Sequence, residues 1–340
     1  MGISDWFRNR TGQFDNDGVP EETVRWAADK AIALTNPKLR MISDCQKRLS
    51  PSVVNSIRFM KGLLPSFPAV RPLSPKVWAS DPALRAFFVT AKDIEDLLAR
   101  SDQLRAVFEK YPAIDEACLV LGMAIAEQKT FGMAVRGDTI QRDVAQNVVC
   151  FSDHKTRLCA PDEAALRRVI AIEIFEYLVS RALGEIGAER TERQELQASR
   201  SLIRTRLRLL QQHGPGLGAM FGDEPAAAGE QARLEAELLE NERQLAEMGA
   251  TEDQLASELE TLLAVLDHPQ DYLSIAPAQL RVNTMNIVVD KTQEGTDIHF
   301  AVVDLKGPAP ARRAFVIARV ARSDLPPPKS LDFHEAMRYL

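Results

Sequence analysis

The stretch AGEQARLEAELLENERQLAEMGATEDQLASELETLLAVLD, residues 228–267, decides the fold. Leu234, Leu238, Asn241, Leu245, Met248, Glu252, Leu255, Leu259, Leu262 and Leu266 alternate four and three apart, and eight of these ten are apolar. That spacing lays one apolar seam along a helix, which must bury it against a second helix. A partner stands just upstream. Leu196, Ile203 and Leu210 stand seven apart in residues 190–213 and Leu207 joins them, a poorer match, since Arg193 and Arg200 fall in the seam. Between the two lies GPGLGAMFGDEP, residues 214–225, rich in helix breakers. The prediction is an antiparallel coiled-coil hairpin over 190–267, with its tip at 214–227.

The two arms differ in charge. Residues 190–213 hold six Arg against two Glu, a net +4, and residues 223–267 hold thirteen Asp or Glu against two Arg, a net −11. Between Lys155 and Lys291 there is no Lys, so every hairpin cation is an Arg, which suits planar pairing with carboxylates. Folding about residue 221 sets Arg200 beside Asn241 or Glu242, and Arg193 beside Glu252 or Gly249. Arg193, Arg200, Asn241 and Glu252 are therefore the expected register residues, since polar groups in a seam fix alignment at some cost in stability. Gly249 followed by Thr251-x-x-Gln254, a capping-box pattern, predicts a kink or helix restart at 249–251.

Working outward, Pro161-Asp162-Glu163 opens a helix predicted to run to His213. Its first part, VIAIEIFEYLVSRAL, is apolar on several faces and should be buried; beyond Glu189 it turns polar and should project. After Pro269 the period falls to two. YLSIAP, QLRVNTMNIVVDK, DIHFAVVDLK and RRAFVIARVAR read as strands, and SLDFHEAMRYL as a closing helix. Two or three further strands are expected in 130–159, with SDHKT (152–156) as a turn. Short β segments are unstable alone, so both sets should share one sheet.

The N-terminal portion is helical in pattern, with stretches at 21–35, 37–48, 51–63, 81–90, 92–99 and 101–111, prolines between 65 and 75, and the apolar run ACLVLGMAIA (117–126) at its close. The domain reading is a loose arm at 1–18, a helical region at 19–128, a β-containing domain from 129–189 and 268–340, and the hairpin inserted between its two parts. The fold class is α+β.

Composition narrows the function classes. With 45% hydrophobic and 26% charged residues the chain can bury a sizeable core. A net charge of −6 disfavours a general nucleic-acid-binding surface. Four Cys in 340 residues do not form a disulfide framework. No run reaches the ~20 apolar residues of a membrane span, and the N-terminal stretch lacks the apolar core of a signal peptide. The expectation is a cytoplasmic protein with no integral membrane insertion and no cofactor. No Walker loop, GxSxG, HExxH or internal repeat is present.

Four groups of residues carry possible chemistry. The polar run around 136–154 contains Asp138, Asp143 and His154; carboxylates near a His can perform acid–base work. The bland reading makes these the solvent face and turn of a hairpin. Cys150, His154 and Cys159 have zinc-compatible donors, but no tight Cys pair and no fourth ligand, and small buried thiols on neighbouring strands explain the Cys better. Leu217, Met220 and Phe221 at the tip have no evident core to join, which suggests a contact surface or a simple flexible turn. Segment 53–64, with Val53, Val54, Ile57, Met60 and Leu64, could lie on an anionic membrane or pack in the core. The leading expectation is an interaction or scaffold protein that uses the hairpin as spacer and recognition arm for a protein partner, with self-association through the seam as a second use. The alternatives are an enzyme built on Asp138, Asp143 and His154, and a peripheral membrane protein held by its N-terminal helices.

Overall fold

The structure is a computed structural model that describes residues 18–136, 139–213, 224–248 and 254–327. It is mixed α+β, and the described residues form eight α-helices and a six-stranded sheet. In chain order the elements are α1 (Glu21–Thr35), α2 (Cys45–Leu63), β1 (Arg71–Pro72), α3 (Pro82–Phe87), α4 (Ala91–Ala99), α5 (Asp102–Lys110), β2 (Glu116–Arg136), β3 (Thr139–Ala160), α6 (Glu163–His213), α7 (Glu224–Glu247), α8 (Gln254–Asp267), β4 (Leu273–Val282), β5 (Thr296–Leu305) and β6 (Ala311–Ala321). Two units divide the chain. One holds residues 56–175 and 268 onward, with the segment up to Thr23; the other holds 24–55 and 176–267. Helices α2 and α6 each run from one unit into the other.

The first unit is built on the sheet, ordered β3-β2-β6-β5-β4, antiparallel throughout except for two-residue β1, which pairs with β6 in parallel. The strands flanking 190–267 in sequence thus do share one sheet. Strand β6 is buried from Ala314 to Ala318 and again at Val320. Ala314, Val316, Ala318 and Val320 face a cluster with Phe87, Phe88, Ile94, Leu98, Leu104 and Phe108 from α3–α5. On the other face Phe67 meets Phe315 edge-on, ring centroids 6.0 Å apart. Burial on both faces turns β6 into a continuous apolar run without alternation.

The same effect corrects the reading of ACLVLGMAIA. It is the start of β2, not the end of a helical region, and Ala117 to Met123 are paired with Ala314 to Val320 of β6. An apolar run covered on both sides carries no period-two signal. A second correction concerns SDHKT. Strand β3 passes straight through 152–156, and β2 and β3 stay paired out to Arg136 with Thr139. Three register shifts interrupt the pairing, and the β3 residues Asp143, Asp153 and Leu158 lie at them with positive φ. Bulges of this kind break the alternation that marks a strand in sequence. YLSIAP and QLRV form one strand, β4, and around Asn286–Val288 there are only single bridges.

The pairing of β2 with β6 ends at Met123. Beyond it β2 pairs, among the described residues, with β3 alone, and the backbone of 286–288 touches β3 at Asn147 and Val149. The far part of the ribbon is a two-stranded extension with Phe131 exposed opposite Ala145.

The second unit is a helical assembly of α1, the start of α2, most of α6, α7 and α8. Ala27, Ala31, Ile32, Leu49 and Val53 are buried, as are Leu178, Val179, Ala182 and Ile186 of α6 and Leu259, Leu262, Val265 and Leu266 of α8. Helix α6 spans 51 residues, ~77 Å at ~1.5 Å per residue. The residues of 19–128 are therefore split between the two units, and the lower part of the predicted hairpin is core, not projection. The apolar stripe Val53, Val54, Ile57 and Met60 is buried, so it offers no face to a bilayer surface. Among the described residues no helix is long and apolar enough to cross a membrane. The expected arm at 1–18 and the closing helix lie outside the described residues, apart from Gly18.

Candidate functional site

The upper part of the second unit is the helical hairpin formed by α6 and α7. Ile203 and Leu207 of α6 are buried with Leu234 of α7, and Leu210 and Leu238 pack against them. Arg204 Nη2 meets Glu242 Oε1 at 2.6 Å, and Arg206 pairs with Glu230. Later residues of α6 thus meet earlier residues of α7, as antiparallel helices require. These pairs are exposed, so each contributes at most ~1 kcal/mol. Their larger effect is to make a wrong alignment unfavourable.

Of the expected register residues, Arg193 is buried and its guanidinium donates to the Met248 carbonyl, with Glu189 at 4.0 Å. Asn241 is buried in the seam, and its Oδ1 has no hydrogen-bond partner among the described residues. Arg200 is half-buried, but Glu242 is taken by Arg204, one turn farther on, because a surface carboxylate is reached from a position beside the seam more easily than from within it. Glu252 lies outside the described residues, as do 249–251, where the restart was expected; α7 ends at Glu247 and α8 begins at Gln254.

A residue the seam pattern passed over holds the base of this structure. Glu258 is 2% exposed. Its Oε1 accepts from Arg190 Nε and Nη2 at 2.8 and 2.7 Å, and its Oε2 from Asn36 Nδ2 at 2.6 Å. One carboxylate therefore ties α6 and α8 to the turn after α1. A neighbouring set joins Ser257 Oγ to Glu189 at 3.1 Å. A buried charge demands such partners. The available sequence signal was an acid directly beside Leu259 of the seam, in helical range of the opposing Arg run.

The outer faces of the hairpin are left uncovered. Leu202 is 72% exposed and Leu239 71% exposed, and Leu209 is also exposed. Leu202 and Leu209 are seven apart, hence on one face of α6 and beside the seam, not in it. A seam-directed reading assigns them to solvent and misses them as apolar surface. Glu235, Glu237, Glu240 and Glu247 are also exposed, all on α7. Arg243 bridges Glu240 and Glu247 within that helix, and its hydrogen bond holds the Glu240 carboxyl below its usual value. The tip residues Leu217, Met220 and Phe221 lie outside the described residues.

The candidates in the sheet do not converge. Asp143 is exposed and His154 is half-buried, eleven positions along the same strand, ~36 Å apart at ~3.3 Å per residue. Asp138 lies outside the described residues. His154 Nε2 is 2.8 Å from the Phe87 carbonyl, and its ring stacks on Phe88 at 4.4 Å. Burial lowers its pKa below the ordinary 6.5, partly offset by the bond to Phe87. Cys150 is exposed, and Cys159 is half-buried on the same strand; they are not neighbours across a turn. Burial pushes the Cys159 thiol up to about 11, which keeps it protonated and a poor metal ligand. Among the described residues no group of three His, Cys, Asp or Glu could hold a metal ion.

No protein-family model matches this chain, and no curated protein or solved structure matches it either.

Proposed function

We propose that this is a cytoplasmic interaction or scaffold protein whose helical hairpin is the recognition arm for a protein partner. The observation that carries the reading is the division of labour within the hairpin. Its seam consumes Ile203, Leu207 and Leu234, while Leu202, Leu209 and Leu239 remain exposed on a hairpin with an excess of acidic residues. Exposed leucines cost solubility and add nothing to the seam, so a surface that keeps them is suited to a partner that covers them. The acidic excess of the hairpin favours a partner with basic groups at the rim of its contact. The four free cysteines fit a reducing compartment.

The test separates surface from seam. Leu202→Ser, Leu209→Ser and Leu239→Ser combined should leave the urea midpoint within about 0.5 kcal/mol, as expected of exposed sites. The same variant should retain at least about ten-fold less of the proteins held by the wild type in a pull-down from the native host. Unchanged retention would remove the hairpin surface from the account.

A further inference from the structure

The outer edge of the β2–β3 ribbon is complementary to itself. Met123 is the last residue of β2 paired with β6, and from Ala124 to Gly132 the strand pairs, among the described residues, with β3 alone. Register shifts stand at both ends of this segment, between Gly122 and Ala124 and between Gly132 and Ala134, and none falls within it. Its side chains therefore alternate between the two faces without interruption. Ala126 to Phe131 are all exposed, Phe131 at 75%. The far edge of β3 is met by the backbone of 286–288, so the uncovered ladder is that of β2. An unpaired edge of this kind is a template for another strand.

One face of the segment carries Ile125, Glu127, Lys129 and Phe131 in that order. Ile125 is partly buried against the core of the sheet unit, and the other three are exposed. On β3 the residues opposite are Phe151, Val149, Asn147 and Ala145. The ribbon thus offers neither Glu127 nor Lys129 an opposite charge across the ladder, and neither makes an ion pair among the described residues. A single lysine on an edge keeps strands apart. A carboxylate and an ammonium two residues apart do the reverse, because a strand running the other way can answer both.

We propose that two copies of this chain join along this edge, β2 antiparallel to β2, about a two-fold axis at Gln128. In this register Glu127 faces Lys129 of the second copy, and Lys129 faces its Glu127. Phe131 comes beside Ile125 of the second copy, next to the core that Ile125 already borders. On the opposite face Ala126 meets Thr130, and Gln128 meets its own equivalent. The charges select this alignment. Moving the axis to Glu127 sets two carboxylates opposite each other, and moving it to Lys129 sets two ammonium groups opposite each other. Directly opposed like charges destabilise a strand pair and opposite charges support it. The contact is isologous, as a two-fold dimer requires, and it makes one sheet in the order β3-β2-β2-β3. It is only one strand wide, below the ~1,200 Å² of a standard interface, so the dimer is weak and depends on concentration.

The experiment is sedimentation of the full-length protein from about 1 to about 500 µM. Wild type is compared with Glu127→Lys, Lys129→Glu and the two changes together. Wild type should pass from monomer to dimer within that range. Either single change puts like charges opposite each other at both symmetric positions, and should weaken the dimer at least about ten-fold. The exchange of both charges restores two opposite pairs, and should return the dimer to within about three-fold of wild type. Both positions are exposed, so folding should be preserved in every variant. A wild type that stays monomeric throughout overturns the assignment. So does a dimer indifferent to the single changes, the result expected of association through the helical seam. Failure of the exchanged pair to restore the dimer also overturns it.

Discussion

The helical hairpin and the β2–β3 ribbon are both antiparallel pairs that continue past the layers in which they begin. They are held together in different ways. In the ribbon the backbone ladder supplies the cohesion, from Cys118 with Ala160 out to Arg136 with Thr139. Side chains there are free to be polar, and the ladder tolerates three register shifts. In the hairpin each helix satisfies its own backbone, so cohesion between the two depends on side chains alone: Ile203, Leu207 and Leu234 inside, Arg204 with Glu242 outside. The hairpin therefore has to write its pairing into its sequence, and the ribbon does not.

That difference makes the hairpin easier to break by a side-chain change at its seam than by any change on its faces, and ties the ribbon to its root in the sheet. The largest effect should come at that root. Leu119, fully buried where β2 joins β6, should cost about 3–5 kcal/mol on replacement by Ala, because the close-packed sheet cannot collapse around the cavity. Leu207→Ala should cost about 2 kcal/mol, since a two-helix seam relaxes more readily. Urea unfolding measures both; equal costs would mean that the hairpin is as tightly packed as the sheet.

A smaller effect of opposite sign should come from Asn241→Leu. The buried Oδ1 lacks a partner, so an apolar group of similar size should stabilise by about 1 kcal/mol, read in the same urea midpoints. The gain should come with looser alignment, visible as additional distances between spin labels placed on α6 and α7. A loss of stability would mean that the Asn241 amide has a role in the seam beyond alignment.

The smallest effect concerns His154. Burial lowers its pKa in the folded chain, so the unfolded chain binds the proton more readily. Its contribution is fully present above the ordinary value of 6.5 and is lost as pH falls from there through the lowered folded value. His154→Gln should flatten the stability profile in that window, measured by urea midpoints from neutral pH downward. A profile unchanged by the substitution would mean that the ring titrates as freely as in the unfolded chain.

The same contrast decides how much could be read from residues alone. The seam of α7 and α8 and the long reach of α6 were legible because helix pairing repeats in side chains. The apolar start of β2 was not, since burial on both faces erases alternation. Nor was the unbroken β3, because the bulges at Asp153 and Leu158 and the polar run SDHKT imitate a turn. Glu258 was hidden for another reason. Its partners Asn36 and Arg190 are distant in sequence, and only folding of the bundle makes them neighbours. Leu202 and Leu209 sat in view, but spacing beside the seam has no structural task to announce it.

The division between α8 and α7 also fixes where the arm can be cut. Removing 190–267 would take out Glu258, Leu259, Leu262 and Leu266, which are core. Excising 198–243 with a short Gly/Ser linker spares them and keeps the Arg193 to Met248 bond. The decisive measurement is partner retention from the native host by this excised chain beside the intact one, with circular dichroism melting recorded for both. The excised chain should melt cooperatively and lose the retained partner. Retention at the intact level would contradict the reading of the hairpin as the recognition arm.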